Sequence, residues 1–222
     1  MSVMLPKFLS PGDLDRIRVA VKEAESRTSG EIVPYVVEQS DPYEEAVWRC
    51  AGLITLLTLA SMFFVHRFTD LWFPVGVREL ALATMLAGGL GAVAAHFIPS
   101  LKRFFVGKDT LHRRVAARAT EAFVSEEVFN TRDRTGILIF ISSFEREVIV
   151  LGDSGINAKV QQHEWDRIVE MIITGINRKK SADGLIDAIR ACGQLLEQKG
   201  VARQADDRDE LSDTLRMGGD TP

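Results

Sequence analysis

Four side chains in this 222-residue sequence have the types and placement to do chemistry together: the carboxylates of Glu31, Asp133 and Asp153 and the guanidinium of Arg134. Glu31 opens the apolar run IVPYVV, Asp133 and Arg134 just precede GILIFIS, and Asp153 just follows EVIVLG. If GILIFIS and EVIVLG form an antiparallel hairpin, the start of one strand lies beside the end of the other, so Asp133, Arg134 and Thr135 meet Asp153 and Ser154. If IVPYVV runs parallel to GILIFIS, Ser29, Gly30 and Glu31 join the same edge. Three converging carboxylates make the oxygen-rich set that Ca²⁺ or Mg²⁺ prefers, which marks Glu31, Asp133 and Asp153 as candidate metal ligands. Arg134 could hold a phosphate oxygen. Asp133, Asp153 and Arg134 are therefore the candidate catalytic residues of a metal-assisted phosphatase.

A plainer reading competes at the same residues. TSG is an ordinary helix stop, while DRTG and DSG are turn compositions in which Asp bonds nearby backbone and Gly supplies positive φ. Asp41, Glu44 and Glu45 are acids in a first helical turn, where the helix dipole accounts for them. Other catalytic machinery is absent from the pattern. Gln198 and Leu56 stand six positions after Cys192 and Cys50, so neither thiol has the arginine of a thiolate phosphatase loop. No Gly-rich loop leads into Lys and Ser or Thr. His66, His96, His112 and His163 lack ligand spacing, and Ser29, Ser154 and Asp153 have no neighbouring partner that would mark a nucleophile and its base.

The elements that must position these residues follow from local signals. Ser10, Pro11 and Asp13 announce a helix start, with Leu14, Ile17, Val21 and Ala24 on one face. IVPYVV reads as a strand buried on both faces, and Pro34, which has no N–H to donate, places it at an edge or a bulge. Asp41 as cap and Pro42 as first residue predict a second helix start. Past Pro99, a long amphipathic helix is expected to carry Leu111, Val115, Ala119, Ala122 and Phe123. The hairpin comes next. Two helices follow, one with Trp165, Ile168, Val169, Ile172 and Ile176 on a face, the other capped by Ser181 with Leu185, Ile189, Cys192 and Leu196. From Gly200 the chain is polar and acidic, with Asp206, Asp207, Asp209, Glu210 and Asp213, and is expected to be mostly disordered.

Two uncharged runs interrupt this order, Cys50 to Val65 and Leu80 to Ile98. Each approaches the roughly 20 residues that cross about 30 Å of hydrocarbon as a helix. The second is rich in Gly and Ala, a packing face for the first. Trp48 and Trp72 suit the headgroup level. Arg49, Lys102, Arg103, Lys108, Arg113 and Arg114 flank the hairpin on one side against Arg67 and Arg78 in its connecting loop, so the positive-inside rule puts both chain ends in the cytoplasm of a multi-pass protein of the plasma (inner) membrane. No signal peptide is read before Phe8. Because Asp41 leaves the far end of the first strand for the membrane, the carboxylate edge is expected to face the cytoplasm. The Lys102 to Arg114 cluster suits anionic lipid headgroups. A formal charge of -4 disfavours nucleic acid.

The expected organisation is residues 8–45 and 100–199 as two parts of one domain, 46–99 as a transmembrane hairpin with spans near 48–68 and 79–98, and 200–222 as the tail. The fold class is α/β, a small mixed sheet flanked by helices in an α/β/α arrangement. Phe8 through TSGEIVPYVV, then DRTGILIFIS, VLGDSGI, HEWDRIV and ADGLIDAI, in this order around a hairpin, resemble the TPM domain family, in particular its bacterial branch with two inserted transmembrane helices. The resemblance covers the chain from Phe8 to about Lys199. It implies a compact α/β/α domain and, by analogy with members described as acid phosphatases of the thylakoid lumen, as binders of divalent cations or as an assistant of a ligand-gated receptor, three different activities. A cytoplasmic domain departs from the lumenal members. The reading that follows is a membrane protein whose domain binds a partner, such as another membrane protein, or a small ligand, with metal-assisted hydrolysis of phosphomonoesters as the alternative.

Overall fold

A computed structural model describes residues 9–68, 76–201, 203 and 210–218. Phe8, Trp72 and the tail acids Asp206, Asp207 and Asp209 lie outside them. The chain divides into two compact units. One runs to Asp41 and resumes at Arg113; the other is Pro42 to His112.

The first unit holds a four-stranded sheet of order β3-β2-β1-β4, built from β1 (Glu31–Val37), β2 (Gly136–Ser142), β3 (Glu147–Gly152) and β4 (Arg216–Gly218). β1 pairs parallel with β2 from Glu31↔Gly136 to Val37↔Ser142, and β2 pairs antiparallel with β3 from Ile137↔Gly152 to Ser142↔Glu147. Strand side chains alternate between faces, and the alternation sorts the core into two layers. Ile32, Val36, Ile137, Ile139 and Ile141 meet α1 (Pro11–Glu25), α7 (Gln162–Asn177) and α8 (Ser181–Gln198) through Ile17, Val21, Trp165, Ile168, Ile172, Leu185, Ile189 and Leu196. Val33, Tyr35, Val37, Leu138 and Phe140 meet Val115, Ala119 and Ala122 of α5 (Lys108–Ser125) on the other face. With helices on both faces, β1 and β2 read as continuous apolar runs. The fold is α/β, as the residue order implies.

Two local expectations, the place of Pro34 and the cap at Asp41, are corrected, and further elements are added. Within the tail, β4 pairs parallel with β1 at Tyr35↔Arg216 to Val37↔Gly218. β1 is therefore an inner strand, and Pro34 is tolerated because it lies just before the segment that β4 covers. Asp41 does not cap a helix. Tyr43 has φ of 50°, which no helix admits, so α2 starts at Glu44 and the Asp41 carboxylate instead pairs with Arg114 at 2.9 Å. The long amphipathic helix expected to carry Leu111, Val115, Ala119, Ala122 and Phe123 is α5, and a short α4 (Pro99–Val106) precedes it, the two separated where Gly107 takes φ of 85°. A short α6 (Ser154–Asn157), begun by Asp153, precedes α7.

The second unit contains α2 (Glu44–Phe68), α3 (Val77–Phe97) and α4. α2 and α3 are long and apolar enough to cross a membrane, and only 6% and 17% of their most apolar stretches is buried, the reverse of a core helix. The faces they bury are made of small residues. A Cβ on Gly91 would stand 2.8 Å from Ile54 Cδ1 and 3.4 Å from Ala51 Cα, and one on Gly88 would stand 2.5 Å from Thr55 Oγ1. Ala95 and Cys50 are wholly buried here too. Gly88, Gly91 and Ala95 share one helical face, while Gly89 meets nothing within 4 Å. Gly91→Leu should therefore splay the pair, costing about 1–3 kcal/mol of overpacking and lowering the melting temperature in detergent, while Gly89→Leu leaves it unchanged. Equal melting of the two variants would refute this packing face.

Candidate functional site

The end of the sheet where β1 and β2 start and β3 stops collects the residues singled out in the sequence. Thr135 Oγ1 donates to Ser29 O at 2.7 Å, Glu31 N to Thr135 O at 3.3 Å, Asp153 N to Gly136 O at 2.9 Å, and Gly155 N to Arg134 O at 3.0 Å. TSG, DRTG and DSG thus form one layer of backbone. The glycines serve close approach rather than positive φ. A Cβ on Gly136 would fall 1.9 Å from Val128 O, and one on Gly155 would fall 2.4 Å from Asp133 O. The residue that takes positive φ here is Arg134, at 56°.

That backbone aims the arginine. Arg134 Nε lies 2.9 Å from Asp153 Oδ2, its Nη1 donates to Phe129 O at 3.2 Å, and the guanidinium sits over the Phe129 ring at 5.5 Å. Asp153 is buried and accepts from Ser154 N at 2.6 Å through Oδ1. Its Oδ2 touches the guanidinium without a well-directed hydrogen bond. The Arg134 side chain remains 52% exposed, so a planar cation held on three sides still presents an open face.

The other two carboxylates go elsewhere. Asp133 is half-exposed and lies 3.8 Å from Arg132 Nη2. Glu31 is buried and its Oε1 accepts from Glu210 N at 3.2 Å, while Glu210 Oε2 accepts from Arg132 N at 3.0 Å. Among the described residues no three His, Cys, Asp or Glu side chains are placed to hold a metal ion. The set Glu31, Asp133 and Asp153 does not fit a divalent cation as it stands, because Asp153 faces the Arg134 cation and Glu31 is occupied by backbone N–H.

Sequence reasoning missed Glu210, hidden in an acidic run, and Glu25 at the end of α1. Glu25 is 4% exposed and accepts from Ile32 N at 2.8 Å. Burial, with Glu31 and Asp213 nearby, pushes its carboxyl up to about 9 from an ordinary 4.5. Its Oε2 finds no donor, which fits a protonated oxygen that itself donates toward Asp213. Burial likewise pushes the Cys192 thiol up to about 12, so it is no nucleophile at neutral pH. Because the folded state raises the Glu25 value, its share of stability is complete below pH 4.5 and drains away as pH climbs toward 9. Glu25→Gln keeps the protonated shape, so the variant should melt higher than wild type at pH 8 and equally at pH 4. Melting of the buried Trp165 fluorescence across this range checks it, and parallel curves would contradict it.

Comparisons with known proteins bear on the same region. No curated protein matches the chain. The NMR structure of the BA42 protein from the psychrophilic bacterium Bizionia argentinensis is similar in fold, with a TM-score of 0.58 at 20% identity over 98% of this chain and all of that one. The TPM domain family matches residues 92–195, a stretch that runs from the end of α3 through β2, β3 and the Arg134–Asp153 pair into α8.

Proposed function

We propose that this chain is a multi-pass protein of the plasma (inner) membrane whose TPM-like domain faces the cytoplasm and binds an anionic group of a partner protein or small ligand through Arg134. The observation that carries the reading is the Arg134 guanidinium, fixed by Asp153 and Phe129 yet half open to solvent. A planar cation with its rotamers already restricted loses little entropy when it takes a carboxylate or phosphate. The membrane anchor is supported by the exposed apolar lengths of α2 and α3. The cytoplasmic orientation is supported by the excess of Lys and Arg at Arg49 and Lys102 to Arg114 over Arg67 and Arg78.

The alternative, hydrolysis of phosphomonoesters with a divalent ion on Glu31, Asp133 and Asp153, has one observation in its favour: the buried Asp153 Oδ2 lacks a well-directed hydrogen bond. Among the described residues the three carboxylates do not gather into a metal-holding group.

One experiment separates the readings. The full chain in detergent is titrated with inorganic phosphate and an acidic peptide, and assayed for phosphomonoester turnover with and without Mg²⁺ or Ca²⁺. Binding of either anion should weaken about tenfold or more in Arg134→Gln, the loss of one charge-assisted hydrogen bond of about 1.5–3 kcal/mol, with no turnover. Metal-dependent turnover that collapses in both Asp133→Ala and Asp153→Ala would replace binding with catalysis.

A further inference from the structure

The junction between membrane helix and soluble domain carries surface that neither unit's core explains. α3 stops at Phe97 because Ile98 turns extended (φ -106°, ψ 99°) and Pro99 starts a new helix, so α4 does not continue the direction of α3. Its eight residues, PSLKRFFV, are amphipathic. At about 100° per residue, Leu101, Phe104 and Phe105 share one arc, with Lys102 flanking it on one side and Arg103 on the other. Within the arc Phe104 is 77% exposed while Leu101 and Phe105 are half-buried, and Phe97 and Ile98 just before the helix are exposed as well. The opposite side is anchored, since Val106 is buried.

Arg49 of α2 fixes the level of this helix. Its Nη1 donates to Phe105 O at 3.1 Å, satisfying a carbonyl in the last turn of α4. The residue before it, Trp48, is 73% exposed. An exposed Trp next to an apolar span belongs at the headgroup level, so the bond from Arg49 sets α4 at that depth too. The exposed Phe97 and Ile98 at the end of α3 lead along the chain to the exposed Phe104 of this arc, and Lys108 follows at the exposed start of α5.

We propose that α4 is an interfacial helix that lies in the leaflet surface, with Leu101, Phe104 and Phe105 in the boundary between headgroups and acyl chains and Lys102, Arg103 and Lys108 against the phosphates of anionic lipids. The occupant of this face is lipid rather than protein. Its apolar side follows along the chain from the exposed end of α3, and the cations border that side as anionic headgroups require. The inference rests on the membrane-anchor reading above.

The full chain is reconstituted into phosphatidylcholine vesicles with and without phosphatidylglycerol, and a nitroxide is placed at Phe104→Cys or Lys108→Cys. Both native thiols are buried and do not compete. The label at position 104 should collide with oxygen and be shielded from a water-soluble nickel chelate, and the label at 108 should show the reverse. The preference of the protein for spin-labelled phosphatidylglycerol over phosphatidylcholine should fall at least about fivefold for each cation reversed in Lys102→Glu and Arg103→Glu. A chain that floats with vesicles but shows equal chelate access at both labels, or an unchanged lipid preference, overturns the interfacial helix alone. A chain that does not float with vesicles overturns the anchor itself and this inference with it.

Discussion

The parallel pairing of β1 with β2 is the constraint from which the rest of the structure follows. Glu31 must lie beside Gly136 although the whole helical insertion stands between them, and parallel strands cannot be joined by a tight turn. The chain has to leave one end of β1 and return to the other end of the sheet. Here that return is long enough to contain two apolar helices, α4 and α5. α5 then lays Val115, Ala119 and Ala122 on one sheet face, while the helices on the far side of the sequence close the other.

Signals that are local in sequence were legible, and those that depend on distant partners were not. The Ser10–Asp13 capping box is a contact over three residues, with Asp13 Oδ2 accepting from Ser10 N at 2.9 Å, and composition alone reveals it. The β2–β3 hairpin is equally local, and its limits match the apolar runs GILIFIS and EVIVLG. β4 was invisible because RMG has no strand pattern of its own and becomes a strand only against the open edge of β1. Pro42 after Asp41 looked like a helix start, but the cap was overridden by a contact to Arg114, far along the chain.

The candidate site divides in the same way. Strand order and direction alone bring DRTG, DSG and TSG to one edge, so that juxtaposition could be read. What each carboxylate does there could not, since burial and partners decide it. Glu210 reaches the site from a tail whose composition reads as solvated, and binds both Glu31 and the Arg132 backbone. Glu25 looks in sequence like any acid in the last turn of an amphipathic helix. Only the fold shows it sealed under β1, holding the Ile32 amide.

The proposed recognition of an anion rests on where these charges lie at this end of the sheet. A divalent ion needs several ionised carboxylates with free lone pairs. The structure turns them to different partners: Glu25 is held protonated, Glu31 Oε1 accepts from Glu210 N, Asp133 is half-exposed beside Arg132, and Asp153 lies 2.9 Å from a guanidinium. A cation entering beside Asp153 would have to displace Arg134 from its ring, its carbonyl and its carboxylate together, and would then meet the displaced positive charge. An anion meets no such barrier, because it adds to the open face of a guanidinium whose buried counter-ion keeps it in place. The negative charge of Asp153 serves this arrangement as the orienting partner of Arg134, which gives the buried carboxylate a purpose that turn geometry alone does not.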